Sequence, residues 1–197
     1  MIIDLHAHTL PRSQCSSLWP DDLIDRLKQL GLDGVCLTEH NKVWPKDQIA
    51  SLVAKHHFLV LGGMEVTTSV GHVLVFGLED DAYDLWDAKK LRRAVDSAGG
   101  VMILAHPLRS YGSHLKDSEY GALFDAIDVL NGTESNLHNE SAAALCRRLG
   151  LHGVGGSDAH ALREVGACAT MFEDTITNEG DLIDALKANG YRPHRIR

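Results

Sequence analysis

Two histidine-bearing stretches have the residue types and spacing to hold a metal ion. Near the beginning, Ile2-Ile3-Asp4-Leu5-His6-Ala7-His8-Thr9 reads as a strand. A strand sends alternate side chains to one face, so His6 and His8 point the same way while Leu5 and Ala7 turn into packing. Far along the chain, Gly155-Gly156-Ser157-Asp158-Ala159-His160 repeats that spacing with a carboxylate in place of one imidazole. Both pairs close short apolar runs, a pattern that suggests one shared metal site.

Other polar residues stand at the ends of apolar runs. Gly34 to Thr38 leads into Glu39-His40-Asn41, and Phe58 to Met64 leads into Glu65. Val101 to Ala105 delivers His106, after which Pro107 stops the strand. Ala126 to Leu130 ends in Asn131-Gly132-Thr133-Glu134. In the run Gly71 to Gly77 the order is reversed: His72 comes at the start, where by itself it reads as a surface residue.

Helical stretches separate these strands. Asp21 or Asp22 is suited to cap a helix through about Leu30, where Leu23, Leu27 and Leu30 repeat at helical spacing and Gly31 ends the run. Further helices are expected over Lys46–Lys55, Leu85–Ala98 and Ser141–Leu149, with Asn178 capping a closing one through Ala188. Ala167 to Phe172 reads as a last short strand. Strand and helix alternate about seven times, and the strands look buried on both faces, which implies an α/β fold with a mainly parallel sheet. The first and last strands each carry part of the site and must meet, so a closed barrel is favoured over an open sheet.

With 197 residues the chain is expected to form a single domain over 1–197. No basic leader precedes the first strand, and no apolar stretch approaches the ~20 residues that span a bilayer, so a cytoplasmic protein without membrane contact is expected. The four cysteines show no paired spacing; Cys36 and Cys146 read as small buried apolar residues. A formal net charge of -8 argues against stable duplex DNA binding, though bound divalent ions would still admit an anionic substrate.

The stretches DLHAHT, GLDGVCLTEHN, GGMEVTTSVGHVLVFG, ILAHP and GSDAH, in this order, resemble the PHP (polymerase and histidinol phosphatase) family. The resemblance implies a distorted seven-stranded (β/α) barrel with two or three divalent ions, zinc, manganese or iron, at its C-terminal face. Carried over by motif, His6, His8, Glu65 and Asp158 would hold one ion. Glu65 would bridge to a second, bound also by His72 and His106, and His40 and His160 would belong to a third. The loop after the first strand departs from the family pattern. Where many members place an Asp or His for the third ion, this chain has Ser13 or Gln14, with Cys15 nearby as an alternative soft ligand. Glu39, where relatives often have Asp, reads as support for the ligands.

The implied chemistry is phosphoester hydrolysis by a metal-bound hydroxide, on a small phosphomonoester, a nucleotide or an oligonucleotide end. Asp158 is the expected proton acceptor; if the third ion is absent, His160 or His40 is the expected donor to the leaving oxygen. Arg109, three residues after His106, is a candidate phosphate clamp, with Arg12 a weaker one. Two other classes are compatible with the same ligands: hydrolysis of amide or lactone bonds, and metal binding without turnover. His56, His57, His114, His138, His152 and His194 match no motif and are read as solvent-facing.

Overall fold

The computed structural model describes residues 1–109 and 115–197, so His114 lies outside the described residues. Among these residues nine strands form one sheet: β1 (Ile2–Ala7), β2 (Gly34–His40), β3 (Leu59–Thr68), β4 (Gly71–Phe76), β5 (Val101–Leu104), β6 (Ala126–Asn131), β7 (His152–Gly156), β8 (Cys168–Phe172) and β9 (Tyr191–Arg195). Their order across the sheet is β7-β6-β5-β4-β3-β2-β1-β8-β9. The pairs β1–β2, β2–β3, β5–β6 and β6–β7 are parallel. β4 runs antiparallel to β3 and β5, and β8 antiparallel to β1 and β9. Seven strands therefore share one direction, and β4 and β8 oppose it.

The sheet curls into a nearly closed barrel. Closure is made where β1, two strands in from the β9 edge, meets the segment after β7: Asp158 N donates to His6 O at 2.7 Å, and His8 N to Ala159 O at 3.0 Å. Thr170 on β8 adds a side-chain stitch, its hydroxyl accepting from Gly155 N at 2.9 Å. The mainly parallel barrel expected from the strand pattern is present, with two differences. β3 and β4 are joined as a hairpin without an intervening helix, and β9 adds a strand at the sheet edge. The sequence Tyr191-Arg-Pro-His-Arg conceals β9 because its polar residues and proline suit only an edge strand.

Six helices surround the barrel: α1 (Pro20–Gln29), α2 (Lys46–His56), α3 (Ala88–Ser97), α4 (Asp117–Leu123), α5 (Asn136–Leu149) and α6 (Glu179–Ala188). α1 begins at Pro20, whose fixed φ and missing N–H suit a first helical position; Asp21 and Asp22 sit in the first turn and do not cap it. Leu23, Ile24 and Leu27 bury against Val35, Leu37 and Val60. α5 starts five residues before its apolar spacing becomes visible, because Ser135 caps it by accepting from His138 N. Leu182, Ala185 and Leu186 of α6 pack on Ile3, Leu5, Phe76, Val101 and Ile103, sealing the end of the barrel where the parallel strands begin.

Cys36 and Cys146 are buried as expected, and so is Cys168. His56 is not solvent-facing: it packs between α2 and α1, with Nε2 2.5 Å from Asp21 Oδ1. No helix among the described residues is long and apolar enough to cross a membrane.

Candidate metal centre

The open end of the barrel gathers all eight residues expected to ligate metal. Five of the seven co-directional strands, β1, β2, β3, β5 and β7, deliver theirs towards their C-terminal ends, and the reversed β4 delivers His72 at its start, which lies on the same rim. A histidine heading a strand thus reaches the site because its strand runs the other way. Opposite it on β3 stands Thr67, two residues beyond Glu65.

Local structure fixes the ligands before any side-chain contact is made. β1 carries an irregularity between Asp4 and Ala7, and β7 approaches it so closely that a Cβ on Gly156 would lie 2.7 Å from His6 Cβ. Only glycine fits there. His106 and Asp158 both adopt positive φ, 25° and 51°, where a residue with a side chain is strained by on the order of 1–3 kcal/mol. Both bend the chain at the point where an apolar strand must present a polar ligand.

Four donor atoms converge at the centre. His6 Nε2 and His8 Nε2 are 3.1 Å apart. Asp158 Oδ1 lies 3.4 and 3.3 Å from them, and Glu65 Oε2 lies 3.6 and 3.2 Å. Ligands about 2.0–2.1 Å from a tetrahedral ion stand roughly 3.3–3.4 Å from one another, so these separations match one coordination sphere. Both oxygens are buried and neither accepts a hydrogen bond, although Glu65 Oε2 has three imidazole nitrogens within 3.6 Å. Donors crowded together without hydrogen bonds leave lone pairs that a cation would satisfy, and this supports the fit of a metal to the site.

The other Glu65 oxygen faces a second group: Oε1 is 2.8 Å from His72 Nδ1 and 2.9 Å from His106 Nε2. A third group combines His8, His40 and His160. There the His40 and His160 rings each stand with centroids 4.4 Å from that of His8 and 6.2 Å from one another, a right-angled cluster. His40, His72 and His160 are about one-third exposed and line the mouth, whereas His6, His8, Glu65, His106 and Asp158 are buried.

Burial and charge oppose each other here. Burial would raise the Glu65 carboxyl, but the charge of His6 and the close imidazoles of His106 and His40 hold it well below its usual range. Asp158 is lowered despite burial, chiefly by His6 and His8. Burial also opposes a charged His8, yet the nearby Asp158 and Glu65 carboxylates raise it to about 10, and His6 is raised for the same reason. The two carboxylates thus draw positive charge into a buried pocket, and protonated imidazoles supply it when nothing else does. His160 shifts the other way, lowered by burial and by its neighbour His8.

The first loop supplies no extra ligand among the donor groups. Ser13 is buried, its hydroxyl 3.5 Å from His8 Nδ1; Gln14 and Cys15 are exposed, and Cys15 joins none of the groups. Glu39 supports the site from behind. It accepts from Thr9 N and Oγ1 and from Trp44 Nε1, at 2.5 to 3.1 Å, which locks the residue after His8. Arg12 stacks its guanidinium 5.1 Å from the Trp44 ring centre.

Arg109 reaches the centre through Asp158, with Nη1 2.7 Å from Oδ2. The same oxygen accepts from Thr133 Oγ1 at 3.0 Å and Asn131 Nδ2 at 3.3 Å. Sequence reasoning assigned no role to Asn131, Thr133 or Glu134. Their position after β6, on the rim where the other polar residues collect, was the available signal.

The fold, and part of the sequence, have counterparts among known proteins. Residues 136–190 match the PHP_C family, described as PHP-associated. Solved structures share the fold. PsfC from Pseudomonas syringae superposes with a TM-score of 0.75 at 21% identity, covering 98% of this chain and 91% of that one. A two-domain protein from Bacteroides vulgatus, containing a predicted PHP-like metal-dependent phosphoesterase, gives 0.77 at 20% identity over 99% of this chain and 64% of its own. An amidohydrolase from Chromobacterium violaceum, solved with sulfate, gives 0.69 at 19% identity over 99% and 98%. The fold is that of these structures, and the match over residues 136–190 agrees with the PHP resemblance that the motifs carry.

Proposed function

We propose that the chain is a metal-dependent phosphoesterase acting on a small phosphomonoester, a nucleotide or the end of a short oligonucleotide. The observation that carries this reading is Glu65, whose two buried oxygens face two separate imidazole groups and so suit a pair of neighbouring ions. Divalent ions held there, zinc, manganese or iron by the nitrogen and oxygen donors, would supply Lewis acidity that brings water towards ionisation near neutral pH and neutralises phosphate oxygens. His6, His8, Glu65 and Asp158 would hold one, Glu65, His72 and His106 another, and His40 with His160 and His8 a third.

The chain's own groups have distinct parts in this reading. Asp158 has one oxygen facing His6 and His8 and the other occupied by three donors, so it acts as an ionised ligand more readily than as a proton acceptor. His160 Nδ1 is 2.9 Å from the Asp158 carbonyl; donating there leaves Nε2 with a free lone pair. When no third ion occupies them, His160 and His40 are the partly exposed imidazoles able to pass a proton to a leaving oxygen. The net charge of -8 disfavours a long duplex as substrate.

Amide or lactone hydrolysis is the second reading, supported by the amidohydrolase among the fold neighbours. Phosphate release from p-nitrophenyl phosphate, nucleotides and short oligonucleotides, measured beside amide and lactone panels with manganese or zinc, separates the two. Metal-dependent turnover of esters alone is the expected result. Turnover confined to amides or lactones would overturn the phosphoesterase reading.

A further inference from the structure

Glu134 lies just before α5 and joins none of the metal-donor groups, yet both of its oxygens are engaged. Oε1 accepts from Arg109 Nε at 2.5 Å, and Oε2 is 2.6 Å from His138 Nδ1. Arg109 is held from the other side as well, with Nη2 donating to Thr133 Oγ1 at 2.6 Å and Asn131 Oδ1 at 3.3 Å. Nη1 forms an ion pair with Asp158 Oδ2 at 2.7 Å, so all three guanidinium nitrogens are engaged within the protein. Held at each nitrogen, the guanidinium has no free edge for the two-pronged grip that arginine makes on a phosphate.

We propose that Glu134 is a positioning residue for the metal centre: it fixes Arg109, and Arg109 in turn fixes the Asp158 carboxylate so that Oδ1 faces His6 and His8. Arg109 then serves the site by orienting a ligand and does not clamp substrate. The geometry is directional. Asp158 has two equivalent oxygens, and three donors on Oδ2, from Arg109, Thr133 and Asn131, select Oδ1 for the centre. Without Glu134 the guanidinium loses the contact that holds its plane, and Asp158 gains freedom to rotate. An outer contact of this kind changes metal affinity by about 10–100-fold.

This inference rests on the metal centre underlying the phosphoesterase reading. Its readout is binding of Co²⁺ alone, followed by the visible absorption of the bound ion, so failure of the phosphatase assay leaves it testable. Far-UV circular dichroism first establishes that each variant folds. Glu134→Ala should weaken Co²⁺ binding about 10–100-fold, with Glu134→Gln intermediate. The double variant Glu134→Ala/Arg109→Ala should bind no more weakly than Arg109→Ala, since one residue acts through the other. If Arg109→Ala does not fold, Arg109→Lys replaces it in the cycle, keeping the charge but losing the Nε–H. Parental Co²⁺ affinity in Glu134→Ala, or effects that multiply in the double variant, would overturn the proposal.

Discussion

His72 Nδ1 stands 2.8 Å from Glu65 Oε1 across the β3–β4 hairpin, and the second oxygen of that carboxylate points away, towards His6, His8 and His40. One side chain thus ties a reversed strand to the parallel rim and joins two sets of donors. Glu65→Ala should cost more metal affinity than the roughly 10–100-fold typical of an outer contact, and should lower the number of ions bound. Equilibrium dialysis against manganese measures both. Unchanged affinity would remove Glu65 from the centre.

Metal loading should release protons. His8 is raised to about 10 by Asp158 and Glu65 against the opposing effect of burial, so at pH 8 it carries a proton that a metal must displace. The sign of the accompanying stability change follows. A raised pKa stabilises the metal-free fold fully below the ordinary value of 6.5, and that contribution is lost as pH rises towards about 10. Thermal melts of chelator-treated protein should fall over this window. Calorimetric titration in buffers of different ionisation enthalpy should show proton release, and a heat independent of buffer would contradict it.

Gly156 sets the distance between β7 and β1. A methyl group there would meet His6 Cβ at 2.7 Å and His6 N at 3.0 Å, both on a backbone with little room to move. Gly156→Ala should destabilise the fold by about 1–3 kcal/mol, as overpacking does, and displace His6 enough to weaken metal binding. Denaturant melts report the first effect and Co²⁺ titration the second. A variant equal to the parent in both would mean that β1 tolerates the shift.

Leu182 is fully buried where α6 closes the far end of the barrel, distant in sequence from every ligand. Leu182→Ala should lower stability by about 2–5 kcal/mol while metal affinity stays within a few-fold of the parent. A denaturation midpoint matching the parent's would show that α6 does not close the core.

Much of this was legible in the sequence because strand periodicity and ligand chemistry point the same way. His6 and His8, and Asp158 and His160, advertise their faces by alternation, and buried runs ending in a polar residue place that residue on the rim. What stayed hidden depends on contacts between distant segments. The outer network of Asn131, Thr133 and Glu134 carries no spacing of its own; it becomes visible only when β6 is set beside β7 and Arg109 folds across both. Arg109 was legible as a cation near the site, but its two carboxylate partners lie 25 and 49 residues away in sequence. β9 and the first turn of α5 escaped because neither has an apolar stripe: one is a polar edge strand, the other begins with a cap and exposed residues.

Eight side chains from remote segments converge on one centre suited to adjacent ions. Elemental analysis of protein purified without added metal, repeated after dialysis against manganese or zinc, tests this most directly. Two or more tightly held divalent ions per chain, fewer in Glu65→Ala, is the result expected. No bound ion after dialysis, or a count that Glu65→Ala leaves unchanged, would contradict it.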